Sequence, residues 1–218
     1  MIQVHQFTFN PFAENTFILF DETKKCIIID PGCYSNDERI ILSRFIQDNA
    51  LEPVRLINTH CHIDHVFGNR YVAELYNLPL EIHKNEIPVL EAQSTVAQMY
   101  GIPDVQQSPD PSIFIEDHDI IQFGNSTLKV LLTPGHSPGS ISFYSEENQF
   151  IISGDVLFQS SIGRTDLPGG DYNTLMESIF EKLMPLEDSV IVYSGHGDST
   201  SIGVERKTNP FILNHTQA

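Results

Sequence analysis

The alternation of apolar and polar residues predicts short strands at the start of the chain. Three segments, IQVHQFTF, NTFILF and KCIIID, are apolar or alternating, and turn residues bound each of them. KCIIID and the later segment FIISGD are almost continuously apolar, which is typical of strands covered on both faces. These patterns predict a fold whose core contains β-sheet.

Apolar residues spaced three or four apart predict helices between the strands. The longest stripe starts after Asp171 and stops before Pro185, and residues 84–111 have weak periodicity and several prolines. We expect that segment to be helical or irregular and to lie on the surface. The stripes consist of Tyr172, Leu175, Met176, Ile179, Phe180 and Leu183; of Ile41, Leu42, Phe45 and Ile46; and of Val72, Leu75 and Tyr76. Helices mixed with covered strands predict an α/β or α+β layered fold.

Length, charge and cysteine content narrow the classes of protein. The 218 residues contain no repeat and no Gly/Ser-rich linker, so we expect a single domain spanning residues 1–218. The net charge of −17 argues against a nucleic-acid partner, because such binding depends on Lys and Arg. No apolar run is long enough to span a membrane, and the first residues lack the pattern of a signal peptide. Three cysteines do not suggest a disulfide framework, so we expect a cytoplasmic protein.

The segment THCHIDH concentrates residues that bind metals. His60, His62, Asp64 and His65 lie within one short stretch that follows a predicted strand. Three further residues of these types, His136, Asp155 and His196, each follow or end another predicted strand. Because the ends of adjacent strands lie about 5 Å apart, such residues can converge at one edge of a sheet.

Seven ligands exceed the coordination of one tetrahedral cation, so the sequence predicts two. We expect His60, His62 and His136 on one cation, Asp64, His65 and His196 on the other, and Asp155 as a bridge between them. Two cations about 3.5–4 Å apart are a common hydrolytic device. Zinc suits these ligands best, although iron and manganese also tolerate them.

The other histidines and Cys61 fit structural interpretations better. His5, His83, His118 and His215 are isolated in the sequence, so we expect them to pack or form hydrogen bonds rather than bind metal. Cys61 lies between two predicted ligands and would project away from a shared face. We expect it to be a bystander.

At THCHIDH, TPGHSPGSISFY, SGDVLF and YSGHGDST, the chain resembles the metallo-β-lactamase fold superfamily. The resemblance implies a four-layer αββα sandwich with the metals at one edge of its two sheets. The segment SIGRTDLPGGD is similar to the glyoxalase II group, the hydroxyacylglutathione hydrolases, and most of all to their short bacterial form. The best-known zinc β-lactamases carry a Cys where this chain has Asp155, which argues against that activity.

The resemblance implies an enzyme that hydrolyses a small-molecule thioester such as an S-acylglutathione. Asp64 would orient the attacking water and accept its proton, and Arg164 matches a basic residue that binds glutathione in that group. Because the sequence ends soon after NPFILNHTQA, we expect no counterpart of the helical C-terminal domain of the larger enzymes. The chain also has GHGDS where they carry a glutathione-contacting Tyr. Thioester hydrolysis is therefore expected more firmly than the use of glutathione.

Several alternatives stay open at this point. A persulfide dioxygenase of the same fold would use one iron, held by His60 or His62 together with His136 and Asp155. A lactonase would open a ring ester with the same catalytic groups. A tRNA-processing nuclease is disfavoured by the acidic charge, and a non-catalytic zinc module by the scarcity of Cys ligands. Metal identity and oxygen consumption separate the first alternative from a hydrolase.

Overall fold

The structure, a computed structural model, describes residues 1–215, which fall into two compact units. The first unit comprises Met1–Ile115 and Ile121–Thr127, and the second comprises Glu116–Ile120 and the chain from Leu128 onward. Strands and helices alternate along the whole described chain, so the predicted mixed α/β class is confirmed. The single domain expected from the sequence stays a prediction.

The first unit is built on a six-stranded sheet. Its strands are β1 (Gln3–Phe9), β2 (Glu14–Phe20), β3 (Lys25–Ile29), β4 (Glu52–Ile57), β5 (Leu80–Ile82) and β6 (Ile113–Phe114), and they neighbour one another in that order. Pairs β1–β2 and β2–β3 are antiparallel, whereas β3 to β6 run parallel. Most of β3 is buried, as expected for a continuously apolar strand. All of β2 is buried too, although its first three residues, Glu14–Thr16, are polar.

Helices of the first unit follow the parallel strands. They are α1 (Asn36–Asp48), α2 (Ile63–Val66), α3 (Asn69–Tyr76), a 3-10 helix (Lys84–Glu86), α4 (Ile87–Glu91) and α5 (Gln93–Tyr100). A capping box between Ser35 and Glu38 starts α1. Leu42 is buried in the core, but Ile41 and Leu75 are each 50% exposed. The buried stripes of α1 and α3 are therefore narrower than the apolar patterns in the sequence.

The second sheet also has six strands. In the described chain, β6 is followed by β7 (Ile120–Phe123), β8 (Ser126–Leu132), β9 (Ile141–Ser145), β10 (Phe150–Gly154), β11 (Leu157–Phe158), β12 (Ser161–Ile162), β13 (Ile191–Ser194) and β14 (Thr200–Ser201). The sheet order is β14-β13-β10-β9-β8-β7, and β11 pairs with β12 separately. Strands β10 and β13 are parallel neighbours, so their carboxyl ends lie at the same edge.

The helices of the second unit pack on an apolar core. They are α6 (Tyr172–Ser178), a π-helical turn (Ile179–Leu183), α7 (Ile202–Thr208) and α8 (Pro210–His215). Asp171 caps α6, since its Oδ1 accepts the N–H of Thr174 at 2.8 Å. Leu175 and Ile179 from the predicted stripe are fully buried, whereas Tyr172 is 44% exposed. Among residues 1–215, no helix combines the length and the apolar character that a membrane crossing requires.

Candidate metal centre

The first-unit ligand cluster consists of His60 and His62, which lie between β4 and α2, and of Asp64 and His65, which lie in α2. The rings of His60 and His62 stand nearly perpendicular, with centroids 4.8 Å apart. The ring centroids of His60 and His65 lie 4.1 Å apart, and the side chains of both residues are fully buried. The histidines that are close in sequence thus form a compact group of imidazoles beside the Asp64 carboxylate.

Asp30 orients this cluster from the end of β3. One carboxylate oxygen accepts the N–H of Thr59 at 2.7 Å, and the other lies 2.5 Å from the Thr59 hydroxyl and 3.1 Å from Nδ1 of His65. Ligand atoms of Asp30, His60 and His65 all lie within 4.8 Å of one another. Asp30 adopts a left-handed backbone conformation with a φ of 50°, which Asp tolerates better than most residues. The sequence analysis missed this residue.

The ring nitrogens of the first-unit cluster are arranged as metal-binding histidines usually are. Nδ1 of His65 faces the Asp30 carboxylate, and Nδ1 of His60 lies 3.0 Å from the Thr59 hydroxyl. When Nδ1 is engaged in this way, Nε2 is the nitrogen available to a cation. Imidazoles anchored by a carboxylate and a hydroxyl, next to Asp64, fit a divalent transition metal.

A second buried acid, Glu14, lies close to this cluster. Its Oε2 accepts the Thr16 hydroxyl at 3.0 Å, and its Oε1 lies 3.9 Å from Nδ1 of His65. Burial raises the pKa of the Glu14 carboxyl well above its usual range. A Cβ atom at Gly32 would lie 1.9 Å from Glu14 Oε2 and 2.7 Å from the Asp64 carbonyl oxygen. Glycine is therefore required where this turn approaches the ligands.

The second-unit ligand cluster consists of His136, Asp155 and His196. These residues follow β8, β10 and β13, so three separate strand ends supply them. Oδ2 of Asp155 lies 3.4 Å from Nε2 of His136 and 3.5 Å from Nε2 of His196. Asp155 is thus central to this cluster, which brings together ligands far apart in the sequence.

Backbone, rather than a carboxylate, orients His136. Its Nδ1 lies 2.8 Å from the carbonyl oxygen of Arg164, which again leaves Nε2 for a cation. The Arg164 guanidinium forms two hydrogen bonds of 2.7 Å to the carboxylate of Asp166, and both side chains are largely exposed. Those hydrogen bonds lower the pKa of Asp166 to about 2. Arg164 therefore contacts the cluster through its main chain and holds a counter-ion with its side chain.

The histidines expected to be structural make other contacts. His5 stacks on Phe45, and His215 stacks on Phe180, with ring centroids 3.9 Å and 4.8 Å apart respectively. His118 lies 3.3 Å from the carboxylate of Asp117, and His83 caps the 3-10 helix. Cys61 is buried, and burial raises the pKa of its thiol well above the usual range, which disfavours a reactive thiolate.

Comparison with known proteins places the chain among metal-dependent enzymes. Residues 10–196 match the family model of the metallo-beta-lactamase superfamily. A relative from Bacillus subtilis, the probable metallo-hydrolase YqgX, is 38% identical over 93% of each chain. The hydroxyacylglutathione hydrolase GloC of Haemophilus influenzae is 36% identical, over 92% of this chain and 93% of that protein.

Two solved structures have the same fold over nearly their full length. The BLEG-1 B3 metallo-beta-lactamase has a TM-score of 0.87 at 35% identity, covering 97% of this chain and 99% of that one. TTHA1623 in a di-iron-bound form has a TM-score of 0.85 at 35% identity, covering 95% of this chain and 100% of that one. Two large sheets with helices, as predicted from the sequence, are therefore the fold of this chain.

Proposed function

Because this chain belongs to the metallo-beta-lactamase superfamily, we propose that it is a metal-dependent hydrolase of small-molecule thioesters such as S-acylglutathiones. The observation that carries the proposal is the first-unit ligand cluster, in which His60 and His65 are anchored at Nδ1 and direct Nε2 toward a cation. The similarity of the chain to a hydroxyacylglutathione hydrolase, over nearly its whole length, supports thioesters as the substrate class.

The two ligand clusters together would hold two divalent cations. We assign His60, His62 and His136 to one, and Asp64, His65 and His196 to the other, with Asp155 bridging both. This assignment rests on the order of the motifs and on the family, and it is part of the proposal. Zinc suits imidazole and carboxylate ligands, but a relative with a di-iron form makes iron a serious competitor, and manganese is compatible.

When bound, the cations would lower the pKa of a water molecule to about 7 and polarise the thioester carbonyl. Asp64 would orient that water and accept its proton during attack on the carbonyl carbon. Asn10 fixes the Asp64 backbone, since its side-chain N–H groups donate to the carbonyl oxygens of Asp64 and Gly32, both at 3.0 Å. The leaving thiol has a pKa of about 8.5, so its thiolate departs without a strong general acid.

Arg164 would bind a carboxylate of the substrate. Its guanidinium suits bidentate recognition of a carboxylate, and it already makes such a pair with Asp166. A substrate carboxylate would therefore compete with Asp166 for the same donors.

The three cysteines are free and buried, which supports our expectation of a reducing, cytoplasmic location.

The test combines metal analysis with a thiol-release assay. Protein purified without added metal should carry about two divalent cations per chain and should release thiol from S-lactoylglutathione. The Asp64→Asn variant should lose about 10²–10⁴-fold of that activity, because the change removes both the proton acceptor and a charged metal ligand. The exposed Asp48, changed to Asn in the same way, is the matched control and should retain full activity.

Other outcomes identify the alternatives. One iron per chain, oxygen uptake with glutathione persulfide and no thiol release would establish a persulfide dioxygenase. Ring opening of lactones or of a β-lactam, without thioester cleavage, would keep the hydrolytic chemistry and replace the substrate class. The β-lactam belongs in this panel because a relative of 35% identity is described as a B3 metallo-beta-lactamase.

A further inference from the structure

Glu86 is a buried acidic residue that the proposed reaction does not use. Its side chain is fully buried at the end of the 3-10 helix that follows β5. His83 fixes the start of this helix, since its Nδ1 accepts the N–H of Asn85 at 3.3 Å and its carbonyl oxygen accepts the N–H of Glu86 at 3.0 Å. The backbone that carries Glu86 is thus tied to the end of β5.

The carboxyl group of Glu86 holds the backbone between two candidate ligands. Its Oε2 accepts the N–H of Cys61 at 2.8 Å, across 25 positions of sequence. Cys61 is 1% exposed and lies in irregular backbone between β4 and α2, where no strand or helix supplies an acceptor. A buried N–H needs a partner, and here a distant side chain provides it.

Asp30 and Glu86 hold this loop on either side of His60. Asp30 fixes Thr59, the residue before His60, and Glu86 fixes Cys61, the residue after it. Cys61 joins His60 and His62, whose rings stand nearly perpendicular to each other. We infer that Glu86 is a positioning residue that fixes the orientation of His60 relative to His62 and so strengthens metal binding by this pair. The inference rests on the proposed function.

The contacts of Glu86 argue against a role in activating the Cys61 thiol for catalysis. Glu86 contacts the main chain of Cys61, and burial followed by the charge of Glu86 raises the pKa of the thiol. A carboxylate beside a buried thiol works against the thiolate that a nucleophile requires. Glu86 therefore acts through backbone geometry rather than by activating the cysteine.

Two variants of Glu86 and one control test the inference. Glu86→Ala removes the acceptor, and Glu86→Gln keeps an oxygen that accepts a hydrogen bond but removes the charge. Glu81→Ala is the matched control, because Glu81 is 2% exposed on the neighbouring β5 and forms an ion pair with the partly buried Arg55. Zinc affinity is measured by competition with a chromophoric chelator, and amide exchange at Cys61 is measured in the metal-free protein.

Glu86→Ala should weaken zinc binding by about 10–100-fold, as loss of a residue that orients ligands usually does. It should also accelerate exchange of the Cys61 amide. Glu86→Gln should stay within about 5-fold of wild type, because a neutral hydrogen bond retains roughly half the strength of a charged one. Glu81→Ala should match wild type in both measurements.

Each contrary result has a distinct meaning. Wild-type zinc affinity in Glu86→Ala overturns the inference and leaves the proposed function intact. Equal losses in Glu86→Gln and Glu86→Ala would assign the effect to charge, and equal losses in Glu81→Ala would assign it to general loss of stability. Either result overturns the inference. A wild-type protein that binds no metal contradicts the proposed function itself.

Discussion

The two ligand clusters position their candidate ligands in different ways. In the first unit, four candidate ligands come from one short segment, residues 60–65, and buried carboxyl groups hold the backbone at its start. In the second unit, three ligands come from three strand ends, and a backbone carbonyl orients one of them. The side chain of His65 is fully buried, whereas that of His196 is 29% exposed. Ligands that are close in sequence thus depend on buried hydrogen-bond acceptors that fix the backbone between them. Ligands far apart in sequence take their positions from the strands of the sheet.

The largest expected effect comes from removing the support of the first-unit cluster. Asp30→Ala leaves the buried N–H and hydroxyl of Thr59 and Nδ1 of His65 without their acceptor. We expect the free energy of unfolding to fall by roughly 3–5 kcal/mol, since each buried group left unpaired costs about 1–3 kcal/mol. Urea denaturation of the metal-free protein measures the change.

Asp30→Asn serves as the control for that variant. Asn keeps one acceptor and tolerates the left-handed backbone at this position, so it should lose less than half as much stability. If both variants unfold at the wild-type urea concentration, Asp30 does not support the loop.

Equivalent ligands in the two clusters should respond differently to truncation. His65→Ala removes a fully buried ring and should destabilise the metal-free protein by about 3 kcal/mol. His196→Ala removes a partly exposed ring and should cost less than about 1 kcal/mol. Both variants should lose metal. Equal losses of stability, measured by thermal unfolding after chelation, would remove the distinction between the clusters.

A variant of Arg164 tests whether its carbonyl oxygen orients His136 independently of its side chain. Arg164→Ala keeps the carbonyl oxygen that orients His136, so metal content should not change. If the guanidinium binds substrate, KM should rise about 10-fold with kcat nearly constant, which is the pattern of lost uniform binding. Arg44→Ala on α1, also exposed, is the control. A loss of metal in Arg164→Ala would show that the side chain supports the cluster after all.

The smallest effect is the pH dependence of the Arg164–Asp166 pair. The pKa of Asp166 is about 2 in the folded protein, below the value of about 3.9 expected when unfolded. The pair therefore stabilises the fold above about pH 5, and this contribution is lost as the pH falls toward 2. The difference in urea midpoint between wild type and Asp166→Asn should shrink over that range. A difference that stays constant with pH would mean that Asp166 ionisation is not linked to folding.

The sequence predicted the fold better than it predicted the supports of the ligands. Near-continuous apolar runs located β3 and β10, because a strand covered on both faces has no polar alternation. Periodicity located α6 and its cap, but it could not show that the helix widens into a π-helical turn at Ile179. That change depends on packing rather than on residue spacing.

Asp30 and Glu86 escaped the sequence analysis for different reasons. Asp30 follows a covered strand and precedes a Pro-Gly turn, so the rule that selected Asp155 would have found it. Glu86 follows a three-residue strand in a segment of weak periodicity, and its partner lies 25 positions away. No local pattern signals a hydrogen bond to the backbone at that distance.

The uneven spread of ligands along the chain has a consequence during protein synthesis. His65 completes the first-unit cluster 131 positions before His196 is added. At about 5–20 residues per second, the ribosome needs roughly 7–26 seconds to cover that distance. During this interval the nascent chain carries the three histidines and the aspartate of the first-unit cluster but not yet His196. If the chain binds metal as proposed, we expect the cation that this incomplete chain captures first to be favoured in the finished protein.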